Sequence, residues 1–197
     1  MRALVLAAAL AMVGCGGGGS VTADGGTDAR QSDDGGIDAT PTDGGGARVV
    51  IGSAPGDGAG FIAVDDGTDV ELIPGAQGGF HVWISARTTD LVGKYYFRVS
   101  ARRVADDALV LAGGLRYVDI PETASGSSWE TESASPAFMC PVPIGISIRD
   151  MPIRFTLEVF TYEDDPDRKL IASDTLVLVP HCPETDQQEF CINICSG

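Results

Sequence analysis

From residue 47 onward the apolar positions fall in short runs of period two, separated by clusters of Gly, Pro and Asp. Side chains of an extended chain alternate between two faces, so this period marks strands that bury one side. Arg48 to Ile51, Gly60 to Val64 and Asp69 to Ile73 are bounded by Pro55-Gly56-Asp57, Asp65-Asp66-Gly67 and Pro74-Gly75, and read as three strands. Gly78-Gly79 leads into a strand over Phe80 to Arg87, with Phe80, Val82, Ile84 and Ala86 on one face and His81, Trp83, Ser85 and Arg87 on the other. Tyr95 to Val104 alternates Phe97, Val99 and Ala101 against Arg98, Ser100 and Arg102; Asp106-Asp107 turns it into Ala108 to Ala112, and Gly113-Gly114 precedes Leu115 to Ile120.

Glu122 to Ser135 is rich in Ser, Thr and Glu around Trp129 and reads as a loop with a short strand. Ile144, Ile146 and Ile148 alternate with Gly145, Ser147 and Arg149. The cleanest alternation follows, Ile153, Phe155, Leu157 and Val159 against Arg154, Thr156, Glu158 and Phe160, and predicts a half-buried central strand. An acidic turn, Glu163 to Asp167, joins it to Leu170 to Val179 in a long hairpin. No stretch sustains helical periodicity. The expected fold is all-β: an antiparallel β-sandwich over residues 47–197, immunoglobulin-like, with a C-terminal tail pinned by disulfides.

The preceding residues have a different character. Gly16 to Gly46 consists mainly of Gly, Asp, Ala, Thr and Ser, with Val21 and Ile37 as its only large aliphatics. So little apolar surface cannot offset the entropy of ordering, and a flexible tether with a root-mean-square reach of about 30 Å is expected. Its aspartates lack the spacing and closing Glu of an EF-hand. Before it, Arg2 and the apolar run Ala3 to Ala11 form a signal peptide, too short for the roughly 20 residues of a spanning helix.

The stretch Met12-Val13-Gly14-Cys15 resembles the lipobox of bacterial lipoproteins, Leu-Ala/Ser-Gly/Ala-Cys, with Met12 in place of the usual Leu. The resemblance implies cleavage after residue 14, lipidation of Cys15, a tether over 15–46 and a membrane partner reached through several acyl chains. Gly16 after the cysteine implies the outer membrane. The segment Gly75-Ala76-Gln77-Gly78-Gly79-Phe80-His81-Val82-Trp83 is similar to one in uncharacterised Gly/Asp-tethered envelope lipoproteins of high-GC Gram-negative bacteria, and implies no particular activity.

Charge and cysteines narrow the function classes. The net charge of the 197 residues is −15; Arg2 and Arg30 against six aspartates put −4 on residues 1–46, leaving −11 on the domain. Such a surface repels a phosphate backbone, so nucleic acid is not an expected partner. Besides Cys15 there are Cys140, Cys182, Cys191 and Cys195, an even set that predicts two disulfides in an exported domain. Cys191 and Cys195 are poor mutual partners across a three-residue loop, so Cys140 and Cys182 should each take one of them. The paired Cys-x-x-Cys knuckles of a zinc ribbon are missing.

Four groups of side chains merit weighing. His81, Trp83 and Arg87 share a strand face and form a candidate ligand platform, against the plainer reading of Trp83 as core. Arg98 and Arg102 could grip an anion, or pair with the chain's own acids. Glu163, Asp164, Asp165 and Asp167, and similarly Asp65 and Asp66, could collect around calcium, or simply be solvated turns. Glu130 and Glu132 are a carboxylate pair without a nucleophile, and no hydrolase, zinc-protease or cysteine-enzyme motif accompanies them. The expectation is therefore an envelope lipoprotein presenting an interaction or structural domain to an envelope protein or glycan. A glycan, small-ligand or calcium-binding module comes second and an enzyme third; no catalytic residue and no cofactor is assigned.

Overall fold

The computed structural model describes residues 46–197 except 125–127, 143–144 and 165. Cys15, the leader and the tether up to residue 45 lie outside the described residues, as do Ile144 and Asp165. Eleven described strands form two sheets around one core. They are β1 (Arg48–Gly52), β2 (Thr68–Glu71), β3 (Ile73–Pro74), β4 (Phe80–Thr89), β5 (Gly93–Arg103), β6 (Leu109–Leu111), β7 (Leu115–Ile120), β8 (Ser128–Glu130), β9 (Ser135–Cys140), β10 (Ile153–Thr161) and β11 (Leu170–His181), followed by one helix, α1 (Gln188–Cys195).

In the first sheet β4 is central. One of its edges carries β1 and β3 in tandem, the other β8 and β9. The second sheet runs β2-β11-β10-β5, with β6 and β7 in tandem outside β5. Phe80, Val82, Ile84 and Ala86 of β4 face Ile153, Phe155, Leu157 and Val159 of β10, all essentially buried. Each of the larger of these contributes about 1.5–3 kcal/mol through removal from water, which is why the alternation along β10 is so regular.

The structure differs from the sequence expectation at five places. β2 pairs with β11 in parallel, so the second sheet is mixed. Gly60 to Val64 is not a strand: it makes one bridge, Ile62 with Ser53, and otherwise crosses β4. The described part of the Ile144 to Ile148 run is not a strand either; Ile148 is sealed in the core, and its amide bonds to the carbonyl of Cys195. Ser135–Cys140 is a strand despite Pro136, because Pro136 lies on β9, whose outer side bears no further strand. Finally, α1 closes the chain.

That helix has eight residues and no side-chain cap, too little to persist alone. Disulfides hold it: Cys182 to Cys191 and Cys140 to Cys195, each half-cystine of the tail finding a partner on the body as the spacing required. Cys191 and Cys195 occupy one helix face, one turn apart, and both are fully buried. No described helix is long and apolar enough to cross a membrane.

Candidate functional site

The outer face of β4 is covered. Ser53 to Ile62 folds across it, and the contacts are specific: Trp83 Nε1 donates to Gly56 O at 3.0 Å, Ser85 Oγ to Gly60 O at 2.7 Å, and the Arg87 guanidinium sits 4.4 Å from the centre of the Phe61 ring. A Cβ on Gly58, which has φ +74°, would lie 2.9 Å from the Trp83 indole, so only glycine lets the loop approach so closely. Trp83 is thus roofed by the chain's own backbone. His81 is 5% exposed, wedged edge-on against Trp83 (4.4 Å between ring centres) and beside Phe138 (5.7 Å), and neither ring nitrogen has a hydrogen-bond partner. Burial lowers its pKa from the ordinary 6.5, keeping the imidazole neutral. Arg87, the third member of that platform, lies farther along β4 and pairs with Glu130 at 2.8 Å.

The other candidates are engaged locally. Arg98 pairs with Glu158 through two hydrogen bonds, 2.8 and 3.0 Å, and Arg102 with Asp107 at 3.2 Å. Glu158 holds Arg98 protonated above its usual range. Among the described residues, Glu163, Asp164 and Asp167 do not converge with any third ligand, nor do Asp65 and Asp66. Cys182, Cys191 and Cys195 alone do so, and disulfides consume all three. Glu132 lies beyond the pairing of Glu130, in a segment that proves more informative than its carboxylate.

That segment is residues 131–134. Glu130 pairs with Arg87 and Ser135 with Ile84, but between them the chain leaves the edge of β4. It does so because the loop over the outer face captures it: Gly60 N donates to Glu132 O (3.0 Å) and Ala134 N to Gly58 O (2.8 Å). Thr131 repairs the break. Its hydroxyl accepts from Ala86 N at 3.1 Å and meets Ser85 Oγ at 2.6 Å, while its own amide donates to Ala86 O at 2.9 Å.

The second sheet is interrupted as well. β6 ends opposite Ala101 and β7 begins opposite Arg98, so residues 112–114 bulge past Val99. Gly113 presses against β5 so closely that a Cβ would fall 1.5 Å from Val99 O.

The two interruptions line the walls of one cleft of about 570 Å3, open between the sheets. Its walls are mainly apolar, with Val99, Leu111, Val118 and Phe138 partly exposed and Ile84, Phe97 and Leu157 buried behind them; Ser85, Arg116, Thr131, Ser133 and Ser135 are polar members of the lining. This size falls in the range of about 300–1,000 Å3 typical of small-molecule sites. Arg116 Nη1 donates to Ser135 Oγ in a short hydrogen bond that joins β7 of one sheet to β9 of the other. Neither Arg116 nor Ser135 stands out in the sequence, and Gly113-Gly114 reads there only as punctuation. A bulge in each of two distant strands leaves no local pattern.

No known protein family, curated protein or solved structure matches the chain. The cleft and its chemistry therefore carry the functional argument.

Proposed function

We propose that this chain is a lipid-anchored protein of the bacterial envelope, held at the outer membrane through Cys15, whose domain binds a small ligand rich in apolar surface. The observation that carries the binding half is the open apolar cleft of about 570 Å3 between the sheets. A core built only for stability would close there: leaving Val99, Leu111 and Val118 only partly buried at the wall of an opening forfeits contacts that a continuous edge strand would supply. Binding is the role assigned, the described lining being mainly apolar side chains with a few hydroxyls and one guanidinium.

The anchoring half rests on the lipobox resemblance at Met12 to Cys15 and on the disulfides, which suit an exported domain. We read the domain as an immunoglobulin-like sandwich. In its support, β4 lies between β1 and the β8–β9 pair, and β11-β10-β5 continues outward to β6–β7. This order corresponds to strand B between A and E, and G-F-C continued by C′. The parallel β2 and the tail disulfides are additions to that plan.

Binding of a neutral solvatochromic dye tests the cleft. The dye should brighten with the wild-type chain and fail to do so with Val99→Trp, which fills the opening; equal brightening with both would overturn the assignment. Cell fractionation tests the anchor, because Cys15→Ala should leave the membrane fraction, and its retention there would refute lipidation.

A further inference from the structure

The reading of the cleft as a binding site can be taken further. On that basis we propose that the ligand is a single-chain amphiphile with an anionic head, a long-chain carboxylate being the simplest member, its tail between the sheets and its head at Arg116.

The tail follows from the walls. Val99, Leu111, Val118 and Phe138 offer partly exposed aliphatic and aromatic surface, which suits methylenes better than the many hydroxyls of a glycan. The head follows from Arg116, among the described residues the only charged one in the lining. Arg87, Arg98, Arg102, Arg103, Arg149 and Arg154 each pair with an acid of this chain. Arg116 forms no ion pair among the described residues, although the chain carries 28 acids; its hydrogen bond goes to the neutral Ser135 hydroxyl. A guanidinium presents donors in a planar fork matched to a carboxylate or phosphate, and one bond to a serine leaves most of that fork available. A cationic head would meet no acid among the described residues of the lining. An added peptide strand is disfavoured on the β9 side, where Pro136 offers no N–H.

The experiment uses the full-length chain carrying Cys15→Ala, so that no acyl anchor of its own competes. It is titrated calorimetrically with dodecanoate, dodecan-1-ol and dodecyltrimethylammonium below their micelle thresholds, with Arg116→Gln and Arg116→Lys in the same background. Dodecanoate should bind at least about tenfold tighter than the alcohol, a margin ordinary for a charge-assisted hydrogen bond, and the cation weakest. Arg116→Gln should erase that preference by weakening dodecanoate far more than the alcohol, and Arg116→Lys should restore part of it. Equal affinity for alcohol and carboxylate, or indifference of dodecanoate to Arg116→Gln, would overturn the anionic head while leaving the cleft assignment intact. Failure of all three ligands to bind would sink both.

Discussion

The Thr131 amide donates to Ala86 O and the Ala86 amide to the Thr131 hydroxyl, where the β8–β9 edge beside β4 is interrupted. A side chain there does the work of a missing backbone partner. It lets the edge open into a cleft without leaving Ala86 N unsatisfied.

Removing that hydroxyl should therefore cost more than its size suggests. Thr131→Val leaves Ala86 N buried without an acceptor and Ser85 Oγ without one of its partners, and should destabilise the domain by about 1–3 kcal/mol. Thr131→Ser should recover most of it. Chemical denaturation of the three proteins checks both statements.

Gly113 and Gly114 are neighbours with opposite expectations. Alanine at 113 would drive its Cβ into Val99 O, so the bulge must move and β6 or β7 must lose pairing with β5; a loss of at least about 2 kcal/mol is expected. Around Gly114 nothing lies within 4 Å of an added Cβ, and Gly114→Ala should stay within about 0.5 kcal/mol of wild type. Thermal melts of the two variants decide the matter.

The two disulfides should differ in value. Cys140–Cys195 closes a separation of 55 residues and Cys182–Cys191 one of 9. Loop-closure entropy alone gives about 4 kcal/mol for the first and about 3 kcal/mol for the second. Paired Cys→Ala replacements, measured by denaturation, should fall in that order, and both should loosen α1 in hydrogen exchange.

His81 predicts a pH dependence whose sign follows from its burial. Its folded pKa lies below 6.5, so below that pH the unfolded chain takes up a proton that the folded chain refuses. The stability held by the neutral ring is complete above about pH 6.5 and declines as the pH falls toward the folded pKa. His81→Phe removes this titration, so the wild-type-minus-variant stability difference should shrink as the pH falls through this interval, while a difference independent of pH would contradict the assignment.

Strands were legible wherever one face meets the core and the other meets water or a thin cover. Phe80 to Arg87 and Ile153 to Phe160 are the clearest cases, and both are strands. The rule failed where an alternating run serves another purpose. Gly60 to Val64 lies across β4 rather than beside it, and Ile148 is buried in the core with its amide bonded to Cys195 O of the tail rather than to a neighbouring strand. The helix was invisible because eight residues held by two covalent bonds need no amphipathic period. The cysteine pairing, in contrast, was constrained by simple geometry: Cys191 and Cys195, one helical turn apart, had to look elsewhere. The cleft was the least legible feature, since it exists only because Gly58 and Gly60 draw residues 131–134 off one sheet while Gly113 indents the other.

Binding in that cleft is the central claim, and methyl NMR of the full-length Cys15→Ala chain tests it most directly. On titration with dodecanoate, the methyl signals of Ile84, Val99, Leu111, Val118 and Leu157, which line the cleft, should shift together and saturate. Those of Leu72, Ile153 and Leu178, buried elsewhere, should stay in place. An unmoved first set at saturating ligand, or shifts centred on the second, would contradict the account.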